Sequence, residues 1–273
     1  MTRLAGVLGW PLEHTRSPAL HNAAYAAAGV DAVYVALPVP PERLAAAVAG
    51  LAALGFLGAN VTVPHKLAAL ALCDRVDPVA RRAGAVNTLV VEAGGALAGH
   101  NTDVAGFRDA LDEAAPGLAA AGGPAVVLGA GGAARAVVLA LADGGMTVRA
   151  VARQPERAEG LRRLGAAVLP WTDRGLAEAL AGAALLVDAT SAALDPAGEA
   201  ALPAPVPLER LAVGVVVASL VYHREPALLA AARARGLAVL DGGPMLVHQA
   251  ARAFTLMTGA PAPLAALRAA LRR

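Results

Sequence analysis

The feature that most restricts how this chain can fold is a glycine cluster, Gly129-Ala-Gly131-Gly132-Ala-Ala134. It lies between the apolar run Ala125-Val-Val-Leu128 and a helical stretch from Ala133 to Asp143. An apolar strand, a glycine turn and a helix, in that order, let the backbone approach a pyrophosphate and set it at the positive end of the helix. A second strand, Met146–Ala152, follows. Further strands are expected at Ala166–Leu169, Ala184–Ala189, Val213–Leu220 and Ala238–Asp241. Strands that alternate with helices in this way imply a doubly wound, Rossmann-type α/β domain. The G-x-G-x-x-A spacing gives Gly129, Ala130, Gly131, Gly132 and Ala133 to a dinucleotide.

The end of the second strand selects which dinucleotide. A fold that binds NAD carries an acid there for the ribose 2′-hydroxyl. This chain reads Val151-Ala152-Arg153-Gln154-Pro155-Glu156-Arg157. The acid is missing, and Arg153 and Arg157 stand one helical turn apart. Guanidinium groups suit a 2′-phosphate by charge and bidentate geometry. The cofactor read from this segment is NADP.

The residues before the glycine cluster form another α/β unit. Leu4–Gly9, Val33–Pro38, Gly58–Val63 and Thr88–Glu92 read as strands, and Pro18–Ala28 and Pro41–Leu54 as helices. A helix from Asp103 to Ala115, capped by Asp103 or Thr102, precedes the Gly/Ala/Pro-rich break at Pro116–Pro124. The alternation predicts parallel sheets. Two final helices, Pro244–Thr258 and Pro263–Leu271, are expected to return to the first domain. The domain reading is therefore 1–103 with 242–273, and 104–241.

Composition excludes several classes of function. The 273 residues are 57% hydrophobic but only 3% aromatic and 16% charged, with a net charge of +2. The arginines are scattered, whereas a nucleic-acid face needs a basic stripe, usually with aromatics. The apolar stretch Leu44–Ala59 is broken by Gly50, Gly55 and Gly58 and falls short of the roughly 20 apolar residues of a membrane span. Cys73 is the sole cysteine, which leaves no intramolecular disulfide or cysteine metal cluster, and no segment pairs His or acids at ligand spacing. The expectation is a metal-free cytoplasmic protein, a monomer or homodimer, that binds neither nucleic acid nor membrane.

Polar chemistry is concentrated instead. Lys66 is the sole lysine against 22 arginines, and a lysine can give up and regain a proton where arginine cannot. All four asparagines, Asn22, Asn60, Asn87 and Asn101, lie in the first 101 residues, and the three serines are Ser17, Ser191 and Ser219. The polar residues gather in Gly9-Trp-Pro-Leu-Glu-His-Thr-Arg-Ser-Pro-Ala-Leu-His-Asn22, Gly58-Ala-Asn-Val-Thr-Val-Pro-His-Lys66, Gly84-Ala-Val-Asn-Thr88 and Gly99-His-Asn-Thr-Asp103. A remote motif, Gly242-Gly-Pro-Met-Leu-Val-His-Gln249, joins them.

Together with the glycine cluster, this order resembles the shikimate dehydrogenase family, from about residue 6 to residue 259. The inventory suits a small polyhydroxylated carboxylic acid. Thr15 and Ser17 offer hydroxyls to its carboxylate, Asn60 and Thr62 share one face of a strand, and Asn87, Asp103 and Gln249 face ring hydroxyls. The resemblance implies reversible NADP-dependent reduction of 3-dehydroshikimate to shikimate, a step of aromatic amino acid biosynthesis. Lys66 and Asp103 would be catalytic. A carboxylate beside the ammonium favours its charged form, so Lys66 is expected to be a positioned donor, with Asp103 sharing the proton transfer. The resemblance also brings Tyr222 to the substrate carboxylate, Thr190 to the cofactor, and Leu220, Gly242 and Met245 to the nicotinamide end. His14, His65 and His100 read as structural.

The chain departs from the family pattern at Thr15 (usually serine), Ala152 and Asp188 (asparagine), Ala193 (glycine) and Ser219 (aspartate). Most of these departures touch the cofactor side, and they leave two alternatives open. One is a quinate/shikimate dehydrogenase of the same family, NAD-linked and catabolic. The other is a non-catalytic regulator that binds the same metabolites.

Overall fold

A computed structural model describes residues 1–272. The chain begins with β1 (Arg3–Gly9), α1 (Ser17–Ala28), β2 (Ala32–Pro38), α2 (Leu44–Ala53) and β3 (Phe56–Val61). It continues through β4 (Arg75–Val76), α3 (Pro78–Ala83), β5 (Thr88–Val91), β6 (Leu97–His100) and α4 (Asp103–Ala114). These strands form one sheet in the order β2-β1-β3-β5-β6-β4. β1 pairs in parallel with β2 and β3, but β5 runs antiparallel to both β3 and β6.

The sheet is therefore mixed rather than parallel, and the sequence reading missed β4 and β6. The cause is a tight hairpin. Gly94 and Gly95 take φ of +93° and +87°, open to glycine at little cost, and the Glu92 amide donates to the Ala96 carbonyl at 2.8 Å. Two glycines between apolar runs are themselves a hairpin signal. The expected helix from Pro41 to Leu54 is also divided, into a 3₁₀ turn at Pro41–Arg43 and then α2.

The second stretch contains β7 (Pro124–Leu128), α5 (Gly132–Asp143), β8 (Thr147–Ala152), α6 (Glu159–Arg162), β9 (Ala167–Pro170) and α7 (Asp173–Leu180). It goes on with β10 (Leu185–Asp188), α8 (Pro196–Ala200), β11 (Val216–Ser219), α9 (Ala227–Ala234) and β12 (Ala238–Leu240). All neighbours pair in parallel in the order β12-β11-β10-β7-β8-β9. Strand order reverses between β7 and β10, the switch point of a doubly wound sheet. β11 is shorter than the apolar run suggested, because Val213 and Gly214 form a turn in which Val213 is fully exposed. The chain ends with α10 (Gly243–Thr258) and α11 (Leu264–Leu271).

Contacts divide the chain into Met1–Gly106 with Leu246–Arg273, and Phe107–Met245, so both boundaries fall inside helices, α4 and α10. Each unit has its own core. In the first, Leu8, Val61 and Leu89 of the sheet pack with Val48 and Leu51 of α2, while α1 packs on α11 and Tyr25 meets Phe254 at 5.5 Å between ring centroids. In the second, Val126, Leu186 and Val217 of adjacent strands pack with Leu176 of α7 and Leu229 of α9. Among the described residues no helix is long and apolar enough to cross a membrane.

Candidate active site

The first unit gathers its polar residues on the antiparallel centre of its sheet. Lys66 lies in the turn after β3, its backbone held because the Val86 amide donates to the Lys66 carbonyl at 2.8 Å. Its ammonium donates to Asp103 Oδ2 at 2.6 Å, with side chains 14% and 5% exposed. Residues 37 apart in sequence thus form one pair, which uses one of the three lysine donors.

Asp103 begins α4, but the cap is neither Asp103 nor Thr102. Asn101 Oδ1 accepts from the Asp103 and Val104 amides at 3.1 and 3.3 Å, while Asn101 Nδ2 donates to the Ala85 carbonyl at 2.8 Å. A carboxylate occupied with an ammonium is a poor cap for its own helix, and Asn caps as well as Asp. Thr102 serves Asn87 instead. Its amide donates to Asn87 Oδ1 at 2.7 Å, and Asn87 Nδ2 donates to Thr102 Oγ1 at 2.9 Å and to Asp103 Oδ1 at 2.8 Å. Both hydrogens of the Asn87 amide are therefore committed.

Asn60, on β3, is committed in the same way. Its Oδ1 accepts from the Tyr34 hydroxyl at 2.7 Å, and its Nδ2 donates to Thr88 Oγ1 at 3.0 Å and to the Asn87 carbonyl at 3.2 Å. Thr88 Oγ1 donates to Asn87 Oδ1 at 3.0 Å. A continuous buried chain of hydrogen bonds thus runs from Tyr34 through Asn60, Thr88 and Asn87 to Asp103 and Lys66. Asn22 anchors its far end by bonding both the amide and the carbonyl of Tyr34.

The remaining residues expected around a substrate are less engaged. Thr15 is half-buried before α1, and its Oγ1 accepts from the Ser17 amide at a long 3.4 Å. Ser17 opens α1 and is buried. Thr62 follows β3, and its methyl lies where a side chain at Gly9 would have to go. Gln249, on α10, donates to the Leu246 carbonyl at 3.0 Å. α10 comes this close to α4 because of Gly106, three residues after Asp103, where an added Cβ would stand 2.8 Å from Gln249 Cβ. Tyr34 and Gly106 were not foreseen, and Thr88 stood in a polar motif without a role of its own. A glycine inside a helix already signals a close approach, but nothing in the sequence marked Tyr34.

In the second unit the glycine turn has the form a pyrophosphate needs. Gly129 takes φ +107°, and a Cβ there would stand 3.1 Å from the Ala189 carbonyl oxygen. Gly131, with φ −75°, faces open space. Gly132 and Ala133 begin α5, and Ala134 is fully buried against the sheet. Arg153 follows β8, Arg157 closes the next 3₁₀ turn, and both are exposed. These residues fit a dinucleotide phosphate: the backbone is bare where the ligand must come close, and the cations are free to meet charge.

Thr190 lies in a turn shaped by Asp188, whose Oδ1 accepts from the Thr190 amide and hydroxyl at 2.9 and 2.7 Å. Burial pushes the Asp188 carboxyl above its usual range, although the two Thr190 bonds oppose the shift and nearby Glu199 adds to it. Leu220 and Gly242 meet at the ends of β11 and β12, where a Cβ on Gly242 would strike the Leu220 carbonyl oxygen. Tyr222 follows β11, half-buried, and Met245 is buried in the first turn of α10.

Fold and site together define a class, the two-unit α/β oxidoreductases in which a Rossmann-type unit accompanies a separate unit carrying a lysine–carboxylate pair. The chain belongs to the shikimate dehydrogenase family. Residues 7–89 match the shikimate dehydrogenase substrate binding domain, and residues 244–272 match the shikimate 5′-dehydrogenase C-terminal domain. The chain is 51% identical to the shikimate dehydrogenase (NADP(+)) of Acidiphilium cryptum over 259 residues, covering 94% of this chain and 91% of that one. It superposes on the crystal structure of shikimate dehydrogenase from Aquifex aeolicus with a TM-score of 0.88 at 34% identity, covering 100% and 98% of the two chains. The Thermus thermophilus enzyme in complex with NADP(H) and shikimate gives a TM-score of 0.86 at 39% identity, covering 100% and 99%.

Proposed function

We propose that the chain catalyses the reversible NADP-dependent reduction of 3-dehydroshikimate to shikimate. The single observation that carries this reading is the Lys66–Asp103 pair, largely buried and braced by Asn87 in a chain of this family. NADPH, when bound, supplies a hydride to the carbonyl carbon. The Lys66 ammonium gives its proton to the carbonyl oxygen, and in the reverse direction the neutral amine takes the hydroxyl proton. Asp103 holds the ammonium in place and shares the proton with it. Thr15 and Ser17 receive the substrate carboxylate, helped by Tyr222, and Thr62 and Gln249 orient the ring. Asn87 meets a ring hydroxyl by giving up one of its bonds. Asn60 acts mainly as the strut behind them.

For the cofactor, Gly129, Ala130, Gly131, Gly132 and Ala133 hold the pyrophosphate, and Arg153 and Arg157 hold the 2′-phosphate. Thr190, Leu220, Gly242 and Met245 line the nicotinamide end.

The test is the initial rate at 340 nm with shikimate or quinate, each with NADP or NAD. Shikimate with NADP should be the preferred pair, and a preference for quinate with NAD would replace this reading with the catabolic one. General acid–base catalysis contributes about 10²–10⁴-fold, so Lys66→Ala should lose turnover by that order while calorimetry still detects shikimate. Near-normal turnover in Lys66→Ala would remove the catalytic role from this residue.

A further inference from the structure

We propose that Asp77 and His100 form a positioning pair that sets Asp103 and Asn87 for turnover, an inference that rests on the activity proposed above. Asp77 stands immediately before α3 and uses both carboxylate oxygens. Oδ1 accepts from the Val79 and Ala80 amides at 2.7 and 3.1 Å and so caps α3. Oδ2 accepts from the Asn101 amide at 3.2 Å and lies 3.3 Å from His100 Nδ1. The Asp77 amide in turn donates to the Gly99 carbonyl at 3.0 Å.

These contacts meet the two segments that deliver the reacting groups. α3 runs through Gly84 and Ala85 into Asn87. The Asn87 amide donates to the His100 carbonyl at 3.0 Å. Asn101, fixed at its backbone by Asp77, bridges the Ala85 carbonyl and the Asp103 amide with its side chain. One carboxylate outside the reaction centre thereby sets the backbone on which Asp103 and Asn87 ride. Burial works to raise the Asp77 carboxyl, but the His100 hydrogen bond and the two α3 amides outweigh it and hold the group below its usual range. The anion that makes these bonds is therefore favoured in the folded protein.

The pair acts through geometry, and small misplacements of catalytic groups lower rate more than binding. Asp77→Asn separates the two roles of the residue. Asparagine caps a helix as well as aspartate, but if its oxygen stays on the α3 amides, its NH₂ cannot accept from Asn101 or His100. Asp77→Asn should lower kcat about tenfold, leave the shikimate KM within about twofold and keep the unfolding midpoint near that of the unaltered protein. His100→Leu should lower kcat in the same sense. His100→Asn, which keeps a donor near the position of Nδ1, should restore most of the loss.

Three outcomes overturn the pairing: unchanged kcat in Asp77→Asn, equal losses in His100→Leu and His100→Asn, or a fall in kcat matched by loss of folded protein. Failure of the functional reading itself looks different, because the unaltered protein would then fail to turn over shikimate.

Discussion

Protonating His21 should destabilise the folded protein, and a phenylalanine at that position should escape most of the effect. His21 lies on α1 with no exposed surface, and neither ring nitrogen has a hydrogen-bond partner among the described residues. Its ring stacks on Tyr34 at 4.2 Å between centroids, with 9° between the planes. Burial lowers its pKa from 6.5 to about 3, so the folded protein keeps the ring neutral while the unfolded chain takes up a proton. Stability linked to this group is complete above pH 6.5, is lost as the pH falls from 6.5 toward 3, and changes no further below that. The loss is about 1 kcal/mol by pH 5.5 and roughly 3 kcal/mol by pH 4.5. Urea unfolding of the unaltered protein and of His21→Phe at pH 7.5, 5.5 and 4.5 measures it. The packing change of the variant appears at every pH and cancels, as do the other titrating groups. The unaltered protein should lose more stability than the variant by those amounts. Equal losses in the two proteins would mean that His21 has a partner or is already charged, and the reasoning from burial would fail. Tyr34 links the result to function, because the ring that stacks on His21 also holds Asn60.

Three further predictions concern the strut and the glycine turn. Asn60→Ala removes the bond it accepts from the Tyr34 hydroxyl and the two it donates, which should cost roughly 2–4 kcal/mol in urea unfolding; a raised shikimate KM with intact stability would make Asn60 a direct substrate contact instead. Gly131→Ala should fold with an unchanged midpoint yet bind NADP at least about tenfold more weakly by fluorescence titration, because its methyl occupies space that only the ligand needs. Gly129→Ala should instead lose about 1–3 kcal/mol of stability, from its positive φ and the nearby Ala189 carbonyl. If Gly131→Ala bound NADP normally, the pyrophosphate would have to lie elsewhere.

Much of this was legible in the sequence because it depends on local order. The run from Ala125 to Asp143 had to make strand, turn and helix, and a repeating strand–helix alternation has few topologies open to it. The absence of an acid at the end of β8 could be read residue by residue. The hairpin between β5 and β6 was equally local, written in Gly94 and Gly95, and was lost beneath the general alternation. The cap of α4 was harder, since Asn101, Thr102 and Asp103 are all good capping residues. Which one capped depended on partners supplied by Ala85 and Asn87, just before β5, and by Lys66 in the turn after β3.

The sequence by itself determined the kind of fold, the cofactor class and the rare polar residues that matter, with Lys66 foremost. Those are properties of residue type and spacing along the chain. Only the tertiary structure decided how the polar groups divide their hydrogen bonds. It paired Lys66 with Asp103, turned Asn60 inward as a strut, committed both hydrogens of Asn87, and brought Gln249 to α4 at Gly106. An amide looks the same in sequence whether it faces a ligand or a neighbouring strand. The difference arises when buried donors and acceptors find partners, because a buried polar group left without one costs more than most single contacts contribute.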